Sequence, residues 1–196
     1  MPYAHEIAKL FPQQGEWSAD DYFRLPHTEH IVELDEGTIT VGDPLSEGDL
    51  IAVRAIHHSL KAFAGGWGIG KNVLFPRAVV LSEALIRQPD LVYIAGVGKA
   101  HLRENIVEGA PDLLVETVTP GPRSDALQER LGGYVWYGVR ECWLVDVPEQ
   151  TITVYSQPET TELGSTYTHV ARARVGSPAY SRALSGYQIV VDTYLR

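Results

Sequence analysis

Three carboxylates stand in this chain where carboxylates are costly. Glu33 lies in the apolar run Ile31-Val32-Glu33-Leu34, Asp90 follows Pro89 at the head of Leu91-Val92-Tyr93-Ile94, and Glu116 sits inside Leu113-Leu114-Val115-Glu116-Thr117-Val118. An ionised acid in such a run needs a partner. If the three meet, unit charges roughly 4 Å apart repel by about 4 kcal/mol at an effective dielectric of 20. The cluster then requires a cation or shifted pKa values. Hard oxygen ligands select Mg2+, Mn2+ or Ca2+ over softer metals. A carboxylate-held Mg2+ with open water positions suits phosphodiester hydrolysis, because it lowers the pKa of the attacking water and neutralises charge on the phosphate. Taken singly, each acid also has a plainer reading. Pro-Asp is a turn device, Glu33 beside a hairpin can be solvated, and Glu116 is the hardest of the three to explain without function.

The elements that must position these acids can be read in order. Ser18-Ala19-Asp20-Asp21 opens a helix with a cap and acids in its first turn, and Trp17 pins the preceding FPQQGEW arm to the body. IVELDEGTITV reads as two strands around a tight Asp35-Glu36-Gly37 hairpin. SEGDLIAVRAIHHSLKAFAGG is a helix starting at Ser46-Glu47, stopping at Gly65-Gly66, with an apolar face through Leu50, Val53, Ile56 or His57, and Leu60. NVLF, AVVLS, DLVYIA and DLLVETV are strand-like, the last apolar enough for burial on both faces. Side chains alternate along a strand, so Asp112, Leu114 and Glu116 share one face. QERLGGYVWYG reads as a helix. ECWLVDV and TITVYSQ are strands broken by Pro148, and TYTHVARARVGSP with YQIVVDTYL closes as an edge hairpin and a final segment. The pattern predicts one α/β domain over residues 1–196, with an arm and helix over 1–28 and a mixed sheet flanked by helices over 29–196.

Other constellations carry less. Gly96-Val97-Gly98-Lys99 lacks the earlier glycine and the Ser/Thr after lysine that a phosphate loop needs, since position 93 is Tyr and position 100 Ala. His27 and His30 are three apart but read as loop residues, and His57 and His58 as packed or surface helix residues. Tyr134, Trp136, Tyr137 and Trp143 read as core aromatics. A two-carboxylate carbohydrate hydrolase has no motif behind it.

Composition bounds the partners. The 196 residues are 44% hydrophobic and carry a formal net charge of −9, so nucleic acid would have to meet a local basic patch or a bound cation. Cys142 is the single cysteine, which excludes an internal disulfide and fits a reducing cytoplasm. No stretch approaches the roughly 18 apolar residues of a membrane span.

Taken together and in order, the segments resemble the Uma-type family of restriction-endonuclease-like proteins, within the PD-(D/E)xK nuclease superfamily. FPQQGEWSADDYFRLP resembles its first helix, VELDEGTI its hairpin, and RQPDLVYI its Gln-Pro-Asp strand. EGAPDLLVETVTP, YVWYGVRECWLVD and SGYQIVVDTYL resemble its later blocks. The resemblance implies a restriction-endonuclease-like core and Mg2+- or Mn2+-dependent cleavage of DNA, with Asp90 and Glu116 on the metal. It makes Glu33 an additional acid, Asp112 a weaker metal candidate, and Gln88 a group that orients water or phosphate. A homodimer would suit cutting of both strands.

The sequence also departs from the family. The superfamily lysine two residues after the glutamate is Val118 here, and the displaced lysine of this family, four residues before the matched tyrosine, is Arg130. Arginine can clamp a phosphate but does not readily lose a proton. Thr119 replaces a serine and Cys142 a tyrosine. The alternative implied is a catalytically impaired nuclease-fold protein that binds DNA or a protein partner.

Overall fold

Ser18 caps a short helix. In the computed structural model, which describes residues 11–67, 72–74, 77–95, 99–118 and 126–192, its hydroxyl accepts the Asp21 amide while Asp21 reaches back to the Ser18 amide. This capping box starts α1 (Ala19–Phe23). Tyr22 docks that helix by donating to the Val32 carbonyl at 2.9 Å. Val32 belongs to β1 (Ile31–Asp35), which pairs antiparallel with β2 (Thr38–Gly42). The connecting Glu36 and Gly37 both have positive φ, 44° and 76°, the two-residue turn that matches strand twist. Gly37 has a second reason to be glycine. Its carbonyl accepts the Gly15 and Trp17 amides, and a Cβ there would lie 2.5 Å from the Gly15 oxygen. The arm is thus tied to the hairpin, with Trp17 stacked on Phe11.

The long helix α2 spans Glu47–Trp67, one residue past the Gly65-Gly66 stop expected. Val53, Ile56 and Leu60 are fully buried, so Ile56 rather than His57 takes the core position. The remaining strands are β3 (Asn72–Leu74), β4 (Val79–Ser82), β5 (Leu85–Arg87), β6 (Leu91–Ile94), β7 (His101–Arg103), β8 (Ile106–Glu108), β9 (Leu113–Thr117), β10 (Glu141–Asp146), β11 (Thr151–Thr161), β12 (Gly164–Arg174), β13 (Pro178–Tyr180) and β14 (Gln188–Val190). Helix α3 (Leu127–Tyr137) lies between β9 and β10 and ends at Gly138, φ 95°.

Among the described residues these strands build two six-stranded sheets rather than the single mixed sheet expected. One has the order β2-β1-β5-β4-β8-β7, the other β12-β11-β10-β9-β6-β3, and β13 and β14 pair apart. Both large sheets are mixed, with β4 parallel to β8 and β9 parallel to β10, and the α/β expectation holds. TYTHVARAR does form a sheet edge, paired with an extended β11, and Gln188–Val190 of the closing segment pairs with β13.

The central strands of the second sheet, β6, β9 and β10, are buried on both faces. Leu91, Tyr93, Leu113, Val115 and Trp143 pack with α2. On the other face Leu114, Cys142 and Leu144 pack with Leu131, Tyr134 and Val135 of α3. Every residue of β9 is buried, as its density of apolar residues predicts. Trp136 departs from expectation: it is 67% exposed, on the outer side of α3. The rejected glycine segment over 96–98 and Thr119 lie outside the described residues.

Candidate active centre

The register of the second sheet assembles two of the predicted acids. Leu91 pairs with Val115 across the β6–β9 ladder, and the Asp90 amide donates to the Val115 carbonyl. One step further, Asp90 faces Glu116, with both side chains on the Val92–Leu114 face. Asp90 is fully buried and Glu116 is 3% exposed. Asp90 Oδ2 accepts the Thr117 amide at 2.6 Å and the Thr117 hydroxyl at 2.8 Å.

Glu33 arrives from the other sheet, and Arg130 joins it to Glu116. The Arg130 guanidinium, 4% exposed, donates through Nη1 to Glu33 Oε2 and through Nη2 to Glu33 Oε1 at 3.1 Å. The same Nη2 donates to Glu116 Oε1 at 2.6 Å and to the Tyr134 hydroxyl at 3.0 Å. Tyr134 in turn donates to Glu116 Oε1. Helical spacing explains the pairing, since positions 130 and 134 lie one turn apart on one face of α3. Burial alone would push Arg130 toward its neutral form, but Glu116, Tyr134 and Glu33 beside it outweigh that and raise its pKa. Burial is the main cause that raises the Tyr134 hydroxyl well above its ordinary value, with Arg130 opposing and the carboxylates adding. Cys142 is raised likewise, by burial first and then Glu116.

A second arginine supports Glu33 from its own sheet. Arg87 lies 3.6 Å from Glu33 Oε2 and 2.5 Å from Asp35 Oδ2. The Gln88 amide donates to Glu33 Oε1 at 2.9 Å, and the Gln88 side-chain oxygen accepts the Val32 amide at 3.0 Å. Gln88, whose amide holds Glu33, also lines a cavity of about 610 Å³ with Tyr22, His27, His30 and Arg77; the carboxylates themselves do not line it.

The structure therefore brings Glu33, Gln88, Asp90, Glu116 and Arg130 together. It does not bring Asp112. That carboxylate accepts the Ala95 amide at 2.8 Å and pairs with Arg140 at 3.0 Å, four residues from Glu116 and so about 13 Å along the strand. Arg130, expected to hold phosphate, is directed at two carboxylates. Sequence reasoning missed Tyr134, Thr117 and Arg87. The spacing of Tyr134 from Arg130 was the available signal, and Tyr134 read instead as a core aromatic.

The donor chemistry of Asp90 and Glu116 fits a hard divalent cation: two facing carboxylates, with the lone cysteine held protonated. Glu33 fits a supporting role better than a ligand's, because Arg130 and the Gln88 amide engage its oxygens. Among the described residues no group of three His, Cys, Asp or Glu side chains is arranged to hold a metal.

Known proteins share this architecture. A crystal structure of a "putative nuclease belonging to DUF820" from Anabaena variabilis superposes with a TM-score of 0.73 at 16% identity, covering 92% of this chain and 99% of that one. At that identity the likeness shows the fold alone. No curated protein matches the chain. Among the described residues no helix is long and apolar enough to cross a membrane. Residues 19–184 match the Uma2 family, described as "Putative restriction endonuclease", and over that span this chain belongs to the family.

Proposed function

We propose that this chain is a metal-dependent DNA endonuclease in which Asp90 and Glu116 hold Mg2+ or Mn2+. The observation that carries this reading is the placement of two buried carboxylates opposite each other on adjacent strands. When bound, such an ion supplies a water of lowered pKa and polarises the phosphate.

The chain's own residues set the stage for that chemistry. Thr117 fixes Asp90 with two donors to one oxygen. Arg130 and Tyr134 fix Glu116 with two donors to one oxygen. Neither of these two accepts a proton from water at neutral pH: the guanidinium is already charged, and the buried phenol is already protonated. A proton released by the attacking water passes to a carboxylate or to solvent. Arg87 and Arg130 together hold Glu33, which ties the first sheet to the second.

One observation favours a second reading, a nuclease-fold protein that binds DNA or a partner without cutting. Arg130 already offsets the charge of both Glu33 and Glu116. Plasmid nicking separates the two. Cleavage by the wild type with Mg2+ or Mn2+, lost in Asp90→Ala, is expected; no cleavage by the wild type but activity in Arg130→Lys establishes the second reading. Calorimetry with Mn2+ tests the metal: weaker binding by Glu116→Ala is expected, and equal binding or none by both proteins would remove it.

A further inference from the structure

We infer that Arg172 and Arg174 on β12 hold the phosphate backbone of the bound nucleic acid beside the acidic centre; this rests on the nuclease reading above. The starting point is a charge imbalance. The chain carries −9 overall, yet from Leu163 to Val191 it has no Asp or Glu and does have His169, Arg172, Arg174 and Arg182.

Strand register places two of these arginines. Glu116 pairs with Leu144, Leu144 with Thr153, and Thr153 with Arg172. Directly opposed residues project to the same face, so Asp90, Glu116, Leu144, Thr153 and Arg172 form one row across the sheet. The next row runs Asp146, Thr151, Arg174. Arg172 donates to the Thr151 hydroxyl at 3.1 Å, which confirms that its side chain lies on this face. Three strand steps separate Arg172 from Glu116, about 14 Å.

Helix α3 covers Leu144 in the middle of that row, so a backbone that reaches both ends passes over the outer side of the helix, and the spacing is the straight-line distance between them. It corresponds to about four base steps at roughly 3.4 Å of rise per strand, and Arg174 lies about 7 Å further along β12. It also exceeds the roughly 8 Å screening length of physiological salt, so the acids do little to repel a phosphate held there. Arg172 and Arg174 are exposed, and among the described residues neither is in an ion pair. The nearest acid in register is Asp146, two strands from Arg174, and its Oδ1 accepts the Glu149 amide. β12 is the outermost strand of its sheet, which leaves room for a duplex alongside.

The test is the salt dependence of binding to a fluorescein-labelled DNA duplex, in EDTA so that no strand is cut. Each phosphate contact contributes a slope of about 0.9 in log affinity against log salt. Replacing both arginines by alanine is expected to lower the slope by about 1.8, so that between 50 and 200 mM salt the double variant loses about 12-fold less affinity than the wild type does. The Arg172→Lys/Arg174→Lys protein keeps the wild-type slope. Should the alanine protein not fold, Arg172→Gln/Arg174→Gln is measured in its place. An unchanged slope with wild-type binding intact overturns this inference and leaves the nuclease reading standing. No DNA binding by the wild type at any salt, either in EDTA or with Ca2+ in its place, overturns both.

Discussion

Two Pro-Asp pairs occupy this fold in the same local geometry and in different company. Asp90 donates its amide to the Val115 carbonyl and accepts the Thr117 amide; Asp112 donates to the Tyr93 carbonyl and accepts the Ala95 amide. Each aspartate thus closes the far end of the strand it faces, related by the antiparallel pairing of β6 and β9. Both are buried. Beyond that they diverge. Asp112 adds one arginine, Arg140, whose side chain is 54% exposed. Asp90 faces Glu116, which shares the buried Arg130 with Glu33 and Tyr134. The motif is a strand-end device, and the candidate chemistry comes from the neighbouring sheet face.

The comparison can be broken first at the arginines. Arg130→Ala leaves two buried carboxylates without their shared cation and is expected to cost about 3–5 kcal/mol, read as a lower urea midpoint. Cleavage separates the two aspartates next. Asp90→Ala is expected to lower plasmid nicking by more than about 100-fold, whereas Asp112→Ala leaves the rate near the wild type's and lowers stability alone. Equal loss in both proteins would mean that the aspartates act only through the sheet.

Tyr134→Phe removes a hydrogen bond to a charged group and is expected to cost about 1.5–3 kcal/mol at pH 7. Its pH dependence has a defined sign. Tyr134 and Cys142 have raised values in the fold, so the stability they carry is full below their unfolded values, near 9 to 10, and drains as pH rises through them. Urea midpoints at pH 8 and 10 should fall less in Tyr134→Phe than in the wild type. Arg140→Ala is expected to have the smallest effect, at most about 1 kcal/mol, because the arginine end of its pair is solvated.

What could be read beforehand follows from where information is local. Glu33 and Glu116 were legible as charges inside apolar runs, and the Asp35-Glu36-Gly37 turn was legible from its turn residues. Asp112 ranked below Asp90 on the resemblance alone, since the Pro-Asp device is the same at both; only the pairing partner distinguishes them physically, and pairing is non-local. β5, β7 and β8 were not foreseen, being three residues each, with arginine or glutamate at their ends. Too short to show a period, they exist through their neighbours. The split into two sheets was hidden for the same reason. The length of β11 was hidden by Pro158 and by Gln157 at φ 58°, residues that read as a strand's end.

The Arg130 bridge also has a history within each molecule's folding. Glu116 lies 14 residues from Arg130 and Glu33 lies 97. Closing the longer loop costs about 1.7 kcal/mol more in chain entropy, so the β9–α3–β10 crossover can gather Glu116, Arg130 and Tyr134 before the hairpin docks. At that stage the guanidinium has one carboxylate partner, and the second comes only when β1 arrives with Glu33. On loop-closure entropy the buried arginine is expected to take its second carboxylate last, as a latch between two sheets closed by the longest-range ion pair among those described here.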